Sequence, residues 1–206
     1  MADQIIIDRL RNILKDPLPG WDAQKRLMPE GRQRLELPQF DDLHPAAVLI
    51  ALFPRDDKWH FPLIKRSSDG FAHSGQIALP GGRKEGSETD TETALREAHE
   101  EVNLSSEQVE VIGKMSPLPI PVSLHMVQPI VGMVNSTPHF QPDPREVEEI
   151  FYLSLEELVS TPITFEKRSF QDRTWDIPHF HIQGHKVWGA TGMILSEFRQ
   201  LISQII

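Results

Sequence analysis

Apolar residues follow two periods along this chain, and each change of period marks a predicted element. Ile5, Ile6, Leu10, Ile13 and Leu14 recur at helical spacing, predicting an amphipathic helix over residues 3–15 that Pro17, Pro19 and Gly20 end. Residues 16–45 are polar, proline-bearing and aperiodic, and read as an ordered arm or linker. Val48 to Phe53 is a short apolar run stopped by Pro54, the pattern of a buried strand. Asp56-Asp57 then reads as a turn, Trp59 to Lys65 as the returning strand of a hairpin, and residues 76–79 as a third strand closed by Pro80-Gly81-Gly82.

Residues 90–102 contain no Gly or Pro and are rich in Ala, Glu, Arg and Leu, which predicts a helix with Asp90 as its N-cap. Strands are expected at 109–115 and 124–134, separated by the proline-rich stretch Pro117 to Pro121, and again at 147–153. Ser154 with Glu157 has capping-box spacing and opens a short helix. Two further strands fall near 163–168 and 177–183, and Leu195, Phe198, Leu201, Ile202 and Ile205 form the stripe of a C-terminal helix. Mixed strands interrupted by helices argue an α/β (α+β) layered domain. The expected division is an N-terminal helix and arm over 1–45 and a main domain over 46–206.

Length and charge narrow the functions open to such a domain. The chain has 206 residues, enough for one sizeable core. Its formal net charge is −9, which disfavours nucleic acid and anionic membrane as bulk partners. Cys is absent, which excludes disulfides, Cys-type zinc sites and Cys nucleophiles. No apolar run reaches the roughly 18 residues of a membrane span, and the start, Met1-Ala2-Asp3-Gln4, lacks the basic start and small-residue cleavage site of a secretory signal. The expected address is the cytoplasm, with a homodimer left open.

The stretch that carries chemistry runs from Gly82 through Glu88 to Arg96-Glu97-Ala98-His99-Glu100-Glu101. On a helical wheel with Leu95 at zero, Ala98 and Val102 fall near ~300° and ~340°, the buried stripe, while Glu100, Glu97 and Glu101 fall near ~140°, ~200° and ~240°. Three carboxylates would then share one face turned away from the apolar one. A solvated acidic face is the ordinary reading of such a cluster. Against it stand the mutual repulsion of like charges one turn apart and the glycine turn just upstream, where Gly81-Gly82 allows close backbone approach. Carboxylates and loop carbonyls together are hard ligands suited to Mg2+ or Mn2+.

The spacing Gly82-x5-Glu88-x7-Arg96-Glu97-Ala98-x-Glu100-Glu101-x-Asn103-Leu104 closely resembles the Nudix box, G-x5-E-x7-R-E-U-x-E-E-x-G-U, with Asn103 in place of the second glycine. Asn is the next best residue for the left-handed conformation that ends a helix. The resemblance implies an α/β/α sandwich with a mixed sheet and a divalent-metal-dependent hydrolase of a nucleoside diphosphate linked to another moiety. It further implies Glu97, Glu100, Glu101 and the Gly81 carbonyl as metal ligands, and Arg96, Glu97 and Glu100 as the catalytic set. Arg96 would orient the carboxylates, paired with Glu88. Glu97 or Glu100 is the candidate general base, and Glu146, in Asp143-Pro-Arg-Glu146, is an outside candidate whose plainer reading is a solvated turn residue.

Upstream, Arg66-Ser67, Gly75 and Pro80-Gly81-Gly82 are similar to the motif of the coenzyme A diphosphatase branch, in which Phe71 here replaces an arginine and Leu79 a phenylalanine. Arg66, Ser67 and Gly82 are the substrate-binding residues this implies. Coenzyme A or its derivatives, cut to 3′,5′-ADP and 4′-phosphopantetheine, is the expected substrate. NADH, ADP-ribose or dinucleoside polyphosphates are the alternatives, and a non-catalytic nucleotide-sensing module the second. His179 and His181 share a strand face, read as exposed, and Trp175 and Trp188 read as core packing ahead of adenine stacking.

Overall fold

The computed structural model describes residues 4–29, 43–67, 75–170 and 173–206. Strand β1 (His44–Arg55) is the axis of an eight-stranded mixed sheet. On one side it pairs antiparallel with β2 (Lys58–Arg66), which in turn pairs with β3 (Ile77–Ala78) and, further on, β8 (Val147–Ser154). Short strand β4 (Gly81–Arg83) lies antiparallel to the first half of β1. On β1's other side runs β7 (His125–Met133), parallel to it from His44 to Leu52, flanked by β5 (Glu110–Lys114) and β6 (Leu118–Ile120). A second sheet holds β9 (Ile163–Phe170), β10 (Arg173–Ile182) and β11 (His185–Val187).

Alternation along β1 builds the layers. Ala47, Leu49, Ala51 and Phe53 face helix α3 (Asp90–Val102) and pack with its Ala94, Ala98 and Val102. Ala46, Ile50 and Leu52 face the other way, into a core with Ile7 and Leu10 of α1 (Gln4–Ile13) and Leu195, Phe198 and Leu201 of α5 (Gly189–Ile202). The α/β/α sandwich with a mixed sheet is therefore present. Among the described residues no helix is long and apolar enough to cross a membrane.

Several local expectations change. The arm holds a helix, α2 (Trp21–Gln24), and a 3-10 turn to Leu27, docked on α5. Its anchor is the fully buried Glu197, whose carboxylate accepts from the Gly20 N–H at 3.0 Å and from Gln24 Nε2 at 2.9 Å. Pro54 does not stop β1: pairing with β7 has ended at Leu52, so no partner needs the missing N–H. The N-cap of α3 is Thr89, not Asp90, because Thr89 and Glu92 close a full capping box. At Ser154, which caps α4 (Leu155–Ser160), only the hydroxyl half of the box forms; the Glu157 carboxylate instead accepts from Gln183. Asp56 and Asp57 both take positive φ, which closes the β1–β2 hairpin as a tight turn.

His179 and His181 do not share one environment. His179 is buried against Thr164, 3.0 Å from its hydroxyl, and His181 is exposed. Trp175 and Trp188 are half-buried, and the Arg168 guanidinium sits 5.2 Å from the Trp188 ring centre.

Candidate active site

The site forms where β4, the N-terminal half of β1, the end of β2 and helix α3 meet. Position 81 must be glycine: its φ is +155°, and a Cβ there would lie 2.4 Å from the Ala47 carbonyl oxygen. Position 82 is glycine for a different reason. A Cβ at Gly82 would lie 2.4 Å from Oε1 and 2.6 Å from Oε2 of Glu97, so the carboxylate of Glu97 rests on the bare α-carbon of Gly82. The glycine pair thus admits α3 close enough for its glutamates to meet the sheet edge. At the far end of α3, Asn103 takes φ +57°, the left-handed cap the box reserves for glycine, and its N–H bonds back to the last turn.

The three glutamates are not equivalent. The buried side of α3 is centred on Ala94 and Ala98, not on the half-buried Leu95. Measured from Ala94, Glu101 falls near ~340°, inside the buried stripe, Glu97 near ~300° at its edge, and Glu100 near ~240° outside it. Side-chain exposure follows this order: 1% for Glu101, 15% for Glu97 and 53% for Glu100. Glu97, Glu100 and Glu101 therefore do not share one outward face, because α3 buries its Ala94–Ala98 side and Leu95 lies at the margin.

Glu101 accepts from the Gly81 N–H at 2.9 Å and from Arg66 Nη1 at 3.0 Å. Burial nonetheless dominates and lifts its carboxyl to about 7, against the pull of Arg66 and the Gly81 N–H. Burial also raises Glu97, offset in part by Arg96. Arg96 organises the outer half of the cluster. Its Nε donates to Glu88 at 2.7 Å, its Nη1 to Glu97 at 3.0 Å and to Glu100 at 2.9 Å, and its Nη2 to the Arg83 carbonyl at 2.9 Å. The Glu88 carboxyl is held down to about 2 by the Arg96 hydrogen bond, with the Glu85 N–H and the buried Thr93 hydroxyl assisting.

Arg66 reaches a second carboxylate, Glu146, at 3.8 Å. The 143–146 turn is docked here from both sides. The Asp143 N–H donates to the Glu101 carbonyl at 3.0 Å, while the Ser67 hydroxyl donates to the Arg145 carbonyl at 2.8 Å and the Ser67 N–H to the Glu146 carbonyl at 2.9 Å. Gln141 similarly donates its N–H to the Val102 carbonyl, so this loop takes up the free carbonyls at the end of α3. An open cleft of about 490 Å³ lies between that helix end and the loop, lined by Glu100, His99, Gln141 and Asp143 among others.

Arg96, Glu97, Glu100, Glu101, Gly81, Gly82, Arg66 and Ser67 thus converge on one region. Position 71 lies outside the described residues. The Arg66–Glu101 contact and the docking of the 143–146 turn had no signal in spacing, because both join segments about 35 or more positions apart.

The donor set fits hard divalent cations. Five carboxylates (Glu88, Glu97, Glu100, Glu101 and Glu146) face two guanidiniums, Arg66 and Arg96. Oε2 of Glu97 and Oε1 of Glu100 accept no hydrogen bond from the described residues. Among the described residues no three His, Asp or Glu side chains already converge as a closed cage. Mg2+ does not require one, since it keeps several waters and takes one or two carboxylates together with phosphate oxygens.

Comparison with known proteins agrees with this geometry. The NUDIX domain model matches residues 43–174. The uncharacterized Nudix hydrolase NudL of Pectobacterium atrosepticum is 36% identical over 149 residues, spanning 68% of this chain and 74% of that protein. The peroxisomal coenzyme A diphosphatase NUDT7 of Mus musculus is 33% identical over 126 residues, 61% of this chain and 53% of that protein. Among solved structures, the Nudix hydrolase RenU of M. smegmatis superposes with a TM-score of 0.55 at 18% identity, covering 79% of this chain and 88% of that one, a likeness of fold.

Proposed function

Because this chain belongs to the NUDIX family and is a hydrolase of diphosphate bonds, we propose that its substrate is coenzyme A or a derivative, cut within the diphosphate to 3′,5′-ADP and 4′-phosphopantetheine. The observation that carries the hydrolytic reading is the pair of burial-raised carboxylates, the half-buried Glu97 and the buried Glu101, set against Gly81-Gly82. Support for the coenzyme A reading comes from Arg66-Ser67, Gly75 and Pro80-Gly81-Gly82 together with the similarity to a coenzyme A diphosphatase.

Glu97, Glu100 and Glu101, with the Gly81 carbonyl, are the proposed ligands of Mg2+ or Mn2+. Those cations supply neutralisation of the diphosphate charge and acidification of water. The chain's own residues do the rest. Gly82 keeps Glu97 at the sheet edge. Arg96 fixes Glu97 and Glu100 relative to each other while Glu88 fixes Arg96. Arg66 compensates Glu101 from inside and faces the substrate side with Glu146. Glu146 takes the proton of the attacking water: its carboxylate is half-exposed, meets Arg66 at 3.8 Å as its one ion-pair contact among the described residues, and lies close enough to repel both Glu97 and Glu101. The 3′-phosphate monoester has no part in this chemistry and survives as a recognition handle. The cytoplasm, where the chain's lack of Cys carries no cost, is the proposed compartment.

The test is a substrate panel of coenzyme A, dephospho-coenzyme A, NADH, ADP-ribose and diadenosine tetraphosphate with Mg2+ or Mn2+, with products identified. Coenzyme A should exceed dephospho-coenzyme A in kcat/KM by roughly 10- to 150-fold, the worth of one charge-assisted contact. Equal values would remove the 3′-phosphate handle, and faster cleavage of NADH or ADP-ribose would assign another substrate.

A further inference from the structure

Ser67 belongs to the motif that points to coenzyme A, yet its hydroxyl and its N–H are both turned toward the 143–146 turn. Its hydroxyl donates to the Arg145 carbonyl at 2.8 Å and its N–H to the Glu146 carbonyl at 2.9 Å. Those two carbonyls belong to a turn that is stiff in itself. Asp143 accepts from the Arg145 N–H at 2.9 Å and pairs with its guanidinium, while the N–H groups of Glu146 and Val147 both return to the Asp143 carbonyl. The turn's leading end is bonded to the Glu101 carbonyl through the Asp143 N–H. Its trailing end has Ser67 beside it, and Ser67 follows directly on Arg66, which holds Glu101 and reaches Glu146. That trailing end runs into β8, whose first residue Val147 pairs with Arg66 of β2, and the Ser67 N–H bond to the Glu146 carbonyl continues that pairing. The Ser67 hydroxyl reaches one residue further into the turn, to Arg145, and ties down the stretch ahead of the strand.

We propose that Ser67 is a positioning residue for the reaction: it clamps the 143–146 turn so that the Glu146 carboxylate faces the Glu97–Glu101 pair. The inference rests on the reading of Glu146 as proton acceptor and goes beyond it, because it gives Ser67 a role in chemistry common to all substrates. Loss of the hydroxyl leaves the N–H bond in place, so the turn loosens without unfolding. A carboxylate displaced by about 1 Å from a reacting water costs on the order of 10²-fold in rate, and half of the clamp should cost roughly 10-fold.

The experiment is a double-mutant cycle of S67A, E146Q and S67A/E146Q, run on whichever of coenzyme A, NADH and ADP-ribose the wild type cuts fastest. The outcome therefore does not depend on the coenzyme A reading. S67A should lower kcat roughly 10-fold with KM within about twofold, and E146Q should lower it by at least about 10²-fold. S67A should then have no further effect in the E146Q background, because the clamp has nothing left to position. Four results would overturn the proposal: an effect of S67A on KM alone, which would make Ser67 a substrate contact; full additivity in the double variant; wild-type kcat in S67A; or wild-type kcat in E146Q. Only the last of these also removes Glu146 from the mechanism.

Discussion

Replacing Glu101 by Gln separates a carboxylate kept for a cation from one kept for the fold. Glu101 is 1% exposed, and its carboxyl is raised by burial from 4.5 to about 7 even with Arg66 beside it. At pH 8 the charged form is thus disfavoured in the folded protein by 2.5 pH units, about 3 kcal/mol at 1.36 kcal/mol per unit. The native state binds the proton more tightly than the unfolded chain. This contribution to stability is therefore fully present below pH 4.5 and is lost as pH rises through 7. Gln keeps the volume and the oxygen that accepts from Gly81, and it carries no charge to desolvate. In chelator at pH 8 E101Q should exceed wild type by up to about 3 kcal/mol, a Tm rise of roughly 6–12 °C for a domain of this size. At pH 4.5 the two should melt together. Added Mn2+ should raise the wild-type Tm and leave that of E101Q nearly unchanged, and kcat of the variant should fall at least about 10²-fold. Scanning calorimetry at both pH values with and without metal, and one turnover assay, cover these outcomes. An E101Q protein less stable than wild type at pH 8 in chelator would mean that the Glu101–Arg66 pair is a net structural contact, and would refute the reasoning.

Other perturbations test the neighbouring parts. EDTA should abolish turnover and Mg2+ or Mn2+ restore it; full activity in chelator would contradict a metal role for the glutamates. G82A should lower kcat by roughly 10²-fold while Tm moves little, because the atoms nearest the new methyl are those of the Glu97 carboxylate, the free end of a side chain; an unchanged kcat would show that Glu97 tolerates displacement. N103G should match or slightly exceed wild-type stability, whereas N103A should lose about 1 kcal/mol in urea melts for its left-handed φ of +57°.

What the chain's residues disclosed before folding, and what they withheld, divides along the range of the interactions. The alternation of Ala47, Leu49, Ala51 and Phe53 and the good helix formers of 90–102 are local, and both elements form where periodicity puts them. Asn103 was legible as a left-handed cap because that preference belongs to one residue's backbone. Thr89 as N-cap was missed by one position, since Asp90 is equally suited in isolation and only the reciprocal bond to Glu92 decides between them. The arm helix Trp21–Gln24 is too short to show a period, and it forms because Glu197 and α5 hold it. At the site, spacing found the glutamates and could not rank them. Rank depends on which of α3's residues meets the sheet, and that is set by the two glycines of β4.

The glycine pair is where fold and chemistry become one constraint. Without a side chain at Gly81 the strand passes Val48 closely enough for its N–H to reach Glu101, and without one at Gly82 the carboxylate of Glu97 can lie on the strand itself. Both contacts press like charges together in a poorly solvated corner, an arrangement with no stabilising purpose in the metal-free protein. Arg66 and Arg96 make it tolerable, from opposite ends: Arg66 from the sheet side to the buried Glu101, Arg96 from the solvent side to Glu88, Glu97 and Glu100. Neither Arg66 nor Arg96 donates to both Glu97 and Glu101, so the negative charge of that pair would be open to the proposed cation. An acidic hydrolase of diphosphates is served by positive charge that arrives with the substrate, and the proposed cation site at Glu97 and Glu101 would receive it.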